Sequence, residues 1–155
     1  MGSMTARVPV LLLAAALVAA GCGGDAPADR PAQGLVLRDG WARATDSGAT
    51  GGAYLVLENR DTTAVSVTGV STAVAEAAEL HETMVHDGVA HMMPHTAVAI
   101  APGATLAMAP GGMHLMLVGM RRAVAEGDTV AVVLQFARGA GAADSLPVRL
   151  PVRAP

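Results

Sequence analysis

From Gly34 onward the chain alternates between short apolar runs and clusters of turn-forming residues. Several runs place apolar and polar residues at alternate positions, as expected for a strand with one buried face. Short strands at close, regular spacing are typical of all-β sandwiches and barrels. The predicted strands, in chain order, are Leu35–Arg38 leading into Trp41, Ala53–Leu57, Val65–Val70, Ala77–Thr83, Val98–Ile100, Thr105–Met108, His114–Val118, Val130–Phe136 and Pro147–Val152. The pattern therefore predicts an all-β fold.

One segment of this pattern is ambiguous. Ala73 to Leu80 is rich in Ala and Glu, so it could also form a short helix. It is short and lacks a strong cap, which weakens the helical alternative. Neither an internal repeat nor a second domain is visible. The roughly 120 residues from Gly34 are enough to bury one core, with Val and Leu supplied by both sheets. We expect a single domain over residues 34–155.

The N-terminal segment has the features of an export signal. Arg7 precedes a thirteen-residue apolar run, Val8–Ala20, and Gly21-Cys22 follows it. This arrangement predicts a secretory signal peptide over residues 1–22, and the run is too short to span a bilayer comfortably. Val18 to Cys22 resembles a bacterial lipobox, in which the cysteine becomes the lipidated first residue.

Three expectations follow from this segment. Cys22 would anchor the protein to a membrane, residues 23–33 would form a flexible tether, and the domain would be extracytoplasmic, in the periplasm or cell envelope. The alternative is ordinary cleavage of the signal peptide, in which Cys22 is not lipidated and has no role.

Composition excludes several classes of protein. The chain is 52% hydrophobic and 15% charged, so overall disorder is not expected. The net charge is −3 and the ten basic residues, all arginines, are scattered, which excludes a nucleic-acid binder driven by a basic patch. Cys22 is the one cysteine. An intrachain disulfide, a zinc–thiolate cluster and a dithiol redox motif are therefore excluded. A blue-copper site needs one cysteine beside two histidines, and it is not expected because Cys22 lies in the predicted signal segment.

Histidine and methionine are concentrated in one window of the chain. All five histidines lie between positions 81 and 114, and seven of the nine methionines lie between 84 and 120. Imidazole together with thioether is the ligand set of a soft ion such as Cu(I). Zinc would prefer Cys or further His and Asp, and calcium would need several carboxylates. In an extended run, His114 and Met116 would share one face, with Met113 and Leu115 on the other.

The spacing of four of these residues is similar to a known signature. Ten residues separate His81 from Met92, twenty-one separate Met92 from His114, and one separates His114 from Met116. This pattern resembles the periplasmic copper chaperone PCuAC family, and the similarity runs from about Leu37 to Val152. Flanking segments also match, namely Trp41-Ala42-Arg43, Gly52-Ala53-Tyr54-Leu55 with Asn59, Glu79-Leu80-His81, Pro110-Gly111-Gly112, His114-Leu115-Met116-Leu117 and Glu126-Gly127-Asp128.

The resemblance implies a cupredoxin-like β-sandwich that binds Cu(I) near its surface. The ligands would be His81, Met92, His114 and Met116, and the protein would be a metallochaperone, not an enzyme. It would deliver copper for assembly of the binuclear copper site of cytochrome c oxidase. Oxidase subunit II and a Sco-type thiol protein would be its partners. The resemblance selects Met92, and since adjacent residues of an extended segment face opposite ways, Met93 is not expected to bind the same ion.

The sequence departs from the family at two places. Ala90 stands where the family often has methionine, and His91, Met93 and His95 crowd a region that is usually poorer in ligands. The segment from Gly139 to Pro155 contains neither His nor Met. It therefore lacks the His- and Met-rich tail that some relatives use for Cu(II).

Several alternatives stay open at this point. The same site could serve a membrane-tethered copper buffering or resistance protein. His86, His91 and His95 could form a second, weaker Cu(II) site. Ser66 and Thr68 allow only a notional nucleophile–histidine pair, and no motif frames one. The remaining alternative is a purely structural β-sandwich whose histidines lie on the surface and bind no metal.

Overall fold

A computed structural model describes residues 34–139 and 142–154 of the chain, and in this part the fold is all-β. The strands are β1 (Leu35–Arg43), β2 (Gly51–Asn59), β3 (Val65–Thr72), β4 (Ala75–His86), β5 (Val89–His95), β6 (Val98–Ile100), β7 (Thr105–Ala107), β8 (Met113–Met120), β9 (Thr129–Arg138) and β10 (Ala142–Arg153). Each predicted strand coincides with one of these, with ends that differ by up to five residues. Within the described residues, no helix is long and apolar enough to cross a membrane.

The strands pair in the order β5-β4-β8-β2-β1-β10-β9-β3-β6, and β7 pairs with β2. The contact between β1 and β10 is parallel and short, at Ala42–Val152 and Arg43–Arg153, whereas the other strand pairs are antiparallel. This junction separates two parts. We call β5, β4, β8, β2, β1 and β7 the front sheet, and β10, β9, β3 and β6 the back sheet.

Alternating side chains of both sheets fill one core. On β9, Val130, Val132, Leu134 and Phe136 are buried while the residues between them are more exposed. Leu55, Leu57, Leu80, Leu115 and Leu117 supply the front sheet's contribution to the same cluster. The predicted single core of Val and Leu from two sheets is thus confirmed, as is the β-sandwich class.

The helical alternative for Ala73 to Leu80 is wrong. From Ala75 the segment runs in β4, which pairs with β8 from Ala75–Met120 to Glu82–Met113. Leu80 is buried in the core, and that packing outweighs the helix propensity of the Ala- and Glu-rich sequence.

The β5 strand was not among the predicted strands. Its residues are exposed apart from the half-buried His95, so it shows no alternation of buried and exposed positions. It lies at the edge of the front sheet, where Pro94 is tolerated because an edge strand leaves one row of N–H groups unpaired. A two-residue turn joins it to β4, with φ of 51° at Asp87 and 79° at Gly88. Two positive φ values favour an Asp-Gly pair and match a type I′ hairpin.

Candidate metal centre

The four predicted ligands lie on one face of the front sheet. His81 on β4 is directly opposite His114 on β8, and Met116 follows two residues further along β8. Thr83, two residues after His81, is opposite Met92 on β5. Directly paired residues and residues two apart share a face, so His81, His114, Met116 and Met92 all point away from the core. We call this set the His81 face.

A backbone contact fixes the ring of His114. The side chain is 8% exposed, and its Nδ1 lies 2.9 Å from the carbonyl oxygen of Gly112. Since a carbonyl can only accept, Nδ1 carries the proton and donates, which leaves the Nε2 lone pair of the neutral ring free. Gly112 closes the turn before β8, where Gly111 has a φ of 79°. The Pro-Gly-Gly turn therefore places the carbonyl that orients the imidazole.

A carboxylate fixes the ring of His81 in the opposite sense. Nε2 of His81 lies 2.8 Å from a carboxylate oxygen of Glu79 and donates to it. Nδ1 is buried and has no hydrogen-bond partner. In the neutral ring this nitrogen carries the lone pair, and a buried acceptor without a partner is costly. A metal ion bonded to Nδ1 would satisfy it, and the contact with Glu79 is the kind that orients a ligating imidazole.

An aromatic row borders the two imidazoles. The ring centroids of His81 and His114 are 6.2 Å apart, and Tyr54 lies 6.4 Å from His114. Trp41 packs against Tyr54, with ring centroids 4.6 Å apart and the ring planes tilted by 41°. Gly52, on β2 opposite Met116, leaves the room that this row needs, because a Cβ there would lie 2.8 Å from the Tyr54 hydroxyl. The row therefore borders the site on the β2 side.

The two thioethers differ in exposure. Met116 is half-buried, whereas Met92 is 59% exposed on the edge strand. Met93 pairs with Glu82 and lies on the opposite face, as expected from the sequence. The assignment of Met92 as a ligand remains a prediction. Its position leaves one side of the site accessible from solvent.

The donor set fits a soft metal better than a hard one. Within residues 34–139 and 142–154, no three His, Cys, Asp or Glu side chains come close enough to hold a metal ion. The ligands that the His81 face does offer are imidazole nitrogen and thioether sulfur. That combination favours Cu(I) over zinc or calcium.

Sequence reasoning missed the residues that support the ligands. Glu79, Gly112 and Tyr54 were noticed only as flanking similarities, and no role was predicted for them. For Glu79 a signal existed, because residues 79 and 81 of a strand must share a face. The role of the Gly112 carbonyl depends on the shape of a turn and carries no comparable signal. Cys22, the signal peptide and the tether lie outside the described residues.

Comparisons with known proteins agree with this fold. The LpqE-like family model matches residues 35–152. A protein of Leifsonia xyli subsp. xyli that carries a lipoprotein name is 31% identical over 121 residues, which cover 77% of this chain and 72% of that protein.

Two solved structures with copper are also similar. The copper-bound PCuAC domain from PmoF2 is 23% identical with a TM-score of 0.63, over 79% of this chain and 94% of that one. The Cu(I) form of DR1885 from Deinococcus radiodurans is 25% identical with a TM-score of 0.55, over 81% and 83%. The resemblance to PCuAC proteins expected from the sequence is confirmed. The chain belongs to the LpqE-like family, and its fold is that of PCuAC domains.

Proposed function

We propose that this protein is an extracytoplasmic metallochaperone that binds one Cu(I) ion through His81, Met92, His114 and Met116. The observation that carries the proposal is the strand register, which brings these four residues to one face of the sheet. The hydrogen bonds that orient the rings of His81 and His114 add support, because each uses one ring nitrogen and leaves the other free for a metal.

The ligand chemistry suits a cargo that must be released. Two thioethers and two neutral imidazoles stabilise the reduced ion without adding negative charge. An acceptor's thiolates bind Cu(I) more strongly than thioethers do and can replace these ligands one at a time. No electron moves in such an exchange, since copper stays Cu(I) while its bonds to this protein are replaced by bonds to the acceptor.

The similar proteins strengthen the choice of metal. Copper is present in the PmoF2 domain and Cu(I) in the DR1885 structure. Catalysis is not part of the proposal, because the His81 face presents ligands and no nucleophile–base pair.

We propose cytochrome c oxidase subunit II as the acceptor, with a Sco-type thiol protein acting beside this chain. The test mixes the Cu(I)-loaded protein with the apo copper domain of subunit II under a thiol reductant, followed by reoxidation. Delivery predicts the appearance of the binuclear copper spectrum in the acceptor. The His114→Ala variant, treated identically, should give none, and an acceptor that stays without copper beside wild type would refute delivery.

Copper buffering or resistance at the membrane is the second candidate. The exposed His and Met side chains of the β4–β5 hairpin favour it, because extra ligands would increase the copper that one chain holds. A deletion strain separates the two functions. Loss of oxidase activity under copper limitation supports delivery, whereas normal oxidase with increased copper sensitivity supports buffering.

We also propose that residues 1–22 direct export, that Cys22 is the lipid attachment point and that residues 23–33 tether the domain of residues 34–155. A diacylated N-terminus supplies two chains, enough for stable anchoring. The lipoprotein name of the Leifsonia relative is consistent with this. Cys22→Ser should block processing or release the protein into the soluble fraction. Wild-type protein found wholly in the soluble fraction would refute the anchor and leave the copper site unaffected.

A further inference from the structure

The second face of the β4–β5 hairpin also carries soft-metal ligands. Met84 on β4 is directly opposite His91 on β5, and Glu82 is opposite Met93. Pairs two residues apart share a face, so Met84, His91 and Met93 lie together. We call these three residues the His91 face, and they are separate from the His81 face on the other side of the same hairpin.

The outer part of the hairpin extends beyond the sandwich core. Met84 and Met93 are 51% and 52% exposed, and His91 is also exposed. Packing therefore does not explain two methionines on this face. Exposed methionines point to metal binding, which exposed leucines would not. The thioether sulfur is a soft ligand, and the flexible side chain can adapt to an ion.

The distances suit convergence on one ion. Side chains directly opposite each other on paired strands have Cβ atoms about 5 Å apart, as expected for Met84 and His91. His91 and Met93 lie two residues apart on β5, which is about 7 Å along the strand. The His81 face uses the same pattern, with a cross-strand pair and a methionine two residues further on.

The same register argues against a three-histidine site. His86, His91 and His95 share this face, but His86 is opposite Val89 and His95 is opposite Leu80. The two outer histidines are therefore about six residues apart along the strands, or about 20 Å. Nε2 of His95 also lies 3.0 Å from a carboxylate oxygen of Glu82. One ion cannot be held by all three histidines. The residue directly opposite His91 is the thioether Met84, and Met93 and His86 occupy the next positions on the same face.

We propose that Met84, His91 and Met93 form a second Cu(I) site, independent of the site on the His81 face. Its imidazole is exposed, so it binds copper more weakly than the enclosed pair of His81 and His114. The chain then takes up two Cu(I) ions in sequence. The second ion occupies the solvent-exposed end of the molecule.

Cu(I) titration of the full chain against a chromophoric chelator tests this site. Wild type should take up two equivalents, the second more weakly than the first. Met84→Leu/Met93→Leu should lose the weaker equivalent and keep the stronger one. The swaps preserve volume and apolarity at exposed positions, so the fold should not change.

Two further variants keep the outcomes distinct. Met116→Leu should weaken the stronger equivalent and leave the weaker one, so failure of the first site does not obscure the second. Met108→Leu changes a methionine buried in the core and should leave both equivalents in place. Uptake of a single equivalent by wild type, or of two by Met84→Leu/Met93→Leu, would overturn the proposal.

Discussion

The two faces of the β4–β5 hairpin carry the same kinds of ligand in different surroundings. On the His81 face the side chain of His81 is 12% exposed, and a carboxylate holds its ring. On the His91 face both methionines are about half exposed. His91 lies on the edge strand β5, which pairs with β4 on one side and is at the end of the strand order on the other. Burial and orientation therefore separate the faces more than residue type does.

This difference has an energetic consequence. A ligand that is already oriented loses little side-chain freedom when the ion binds, whereas an exposed methionine or histidine must be ordered. Partners that orient a ligating imidazole are worth about 10–100-fold in metal affinity. The His81 face should therefore fill first, and the His91 face only at higher copper activity.

Loss of a thioether from the His81 face should have the largest effect. Met116→Leu preserves volume but removes a sulfur that lies beside His114, so Cu(I) affinity at this face should fall by more than about 100-fold, beyond the usual effect of a supporting residue. Chelator competition measures the loss. Met108→Leu is the matched control, and equal affinities of the two variants would contradict the assignment of Met116.

Removal of the carboxylate that orients His81 should have the next largest effect. In Glu79→Ala the ring loses the acceptor for its Nε2 proton, so we expect Cu(I) affinity to fall by about 10–100-fold. Glu76→Ala, which removes an exposed carboxylate from the same strand, should change affinity little. If both variants weaken binding equally, overall charge and not orientation is the cause.

The two adjacent methionines should behave differently at the tighter site. Met92→Leu should lower the affinity of the first equivalent, by less than Met116→Leu does because Met92 is more exposed. Met93→Leu should leave the first equivalent unchanged, since Met93 faces the other way. The reverse result would mean that the ligand assignment is displaced by one residue.

The smallest effect concerns stability at the end of the hairpin. Val85 is 71% exposed, so Val85→Ala should change the free energy of unfolding by less than about 0.5 kcal/mol. Leu80→Ala, at a core position on the same strand, should cost about 2–5 kcal/mol. Denaturant titration compares them. If the two variants lost similar free energies of unfolding, the Val85 side chain would have to be packed against other residues, contrary to its exposure.

The sequence predicted the parts of the molecule that depend on the two-residue period of a strand. It placed His114 and Met116 on one face and Leu115 on the other because alternation alone decides this, and Leu115 is buried in the core. The alternating burial of β9 was visible for the same reason. The four-ligand spacing, through its resemblance to a known family, supplied the candidate site.

Other features depend on pairing and could not be obtained from alternation. The β5 strand has no buried face, so its signals are limited to the Asp87-Gly88 turn and the extended conformation that Pro94 favours at Met93. The separation of His86 from His95 follows from the register of β4 with β5. Burial of Leu80 against the second sheet decided between strand and helix for β4, and no local propensity contains that contact.

The central claim is that the first Cu(I) ion binds on the His81 face, and methionine methyl NMR tests it most directly. With methyl-labelled methionine and one equivalent of Cu(I), the Met92 and Met116 signals should shift, while those of Met84, Met93 and Met108 stay in place. Signals of Met84 and Met93 that shift first, with Met92 and Met116 unchanged, would contradict the account.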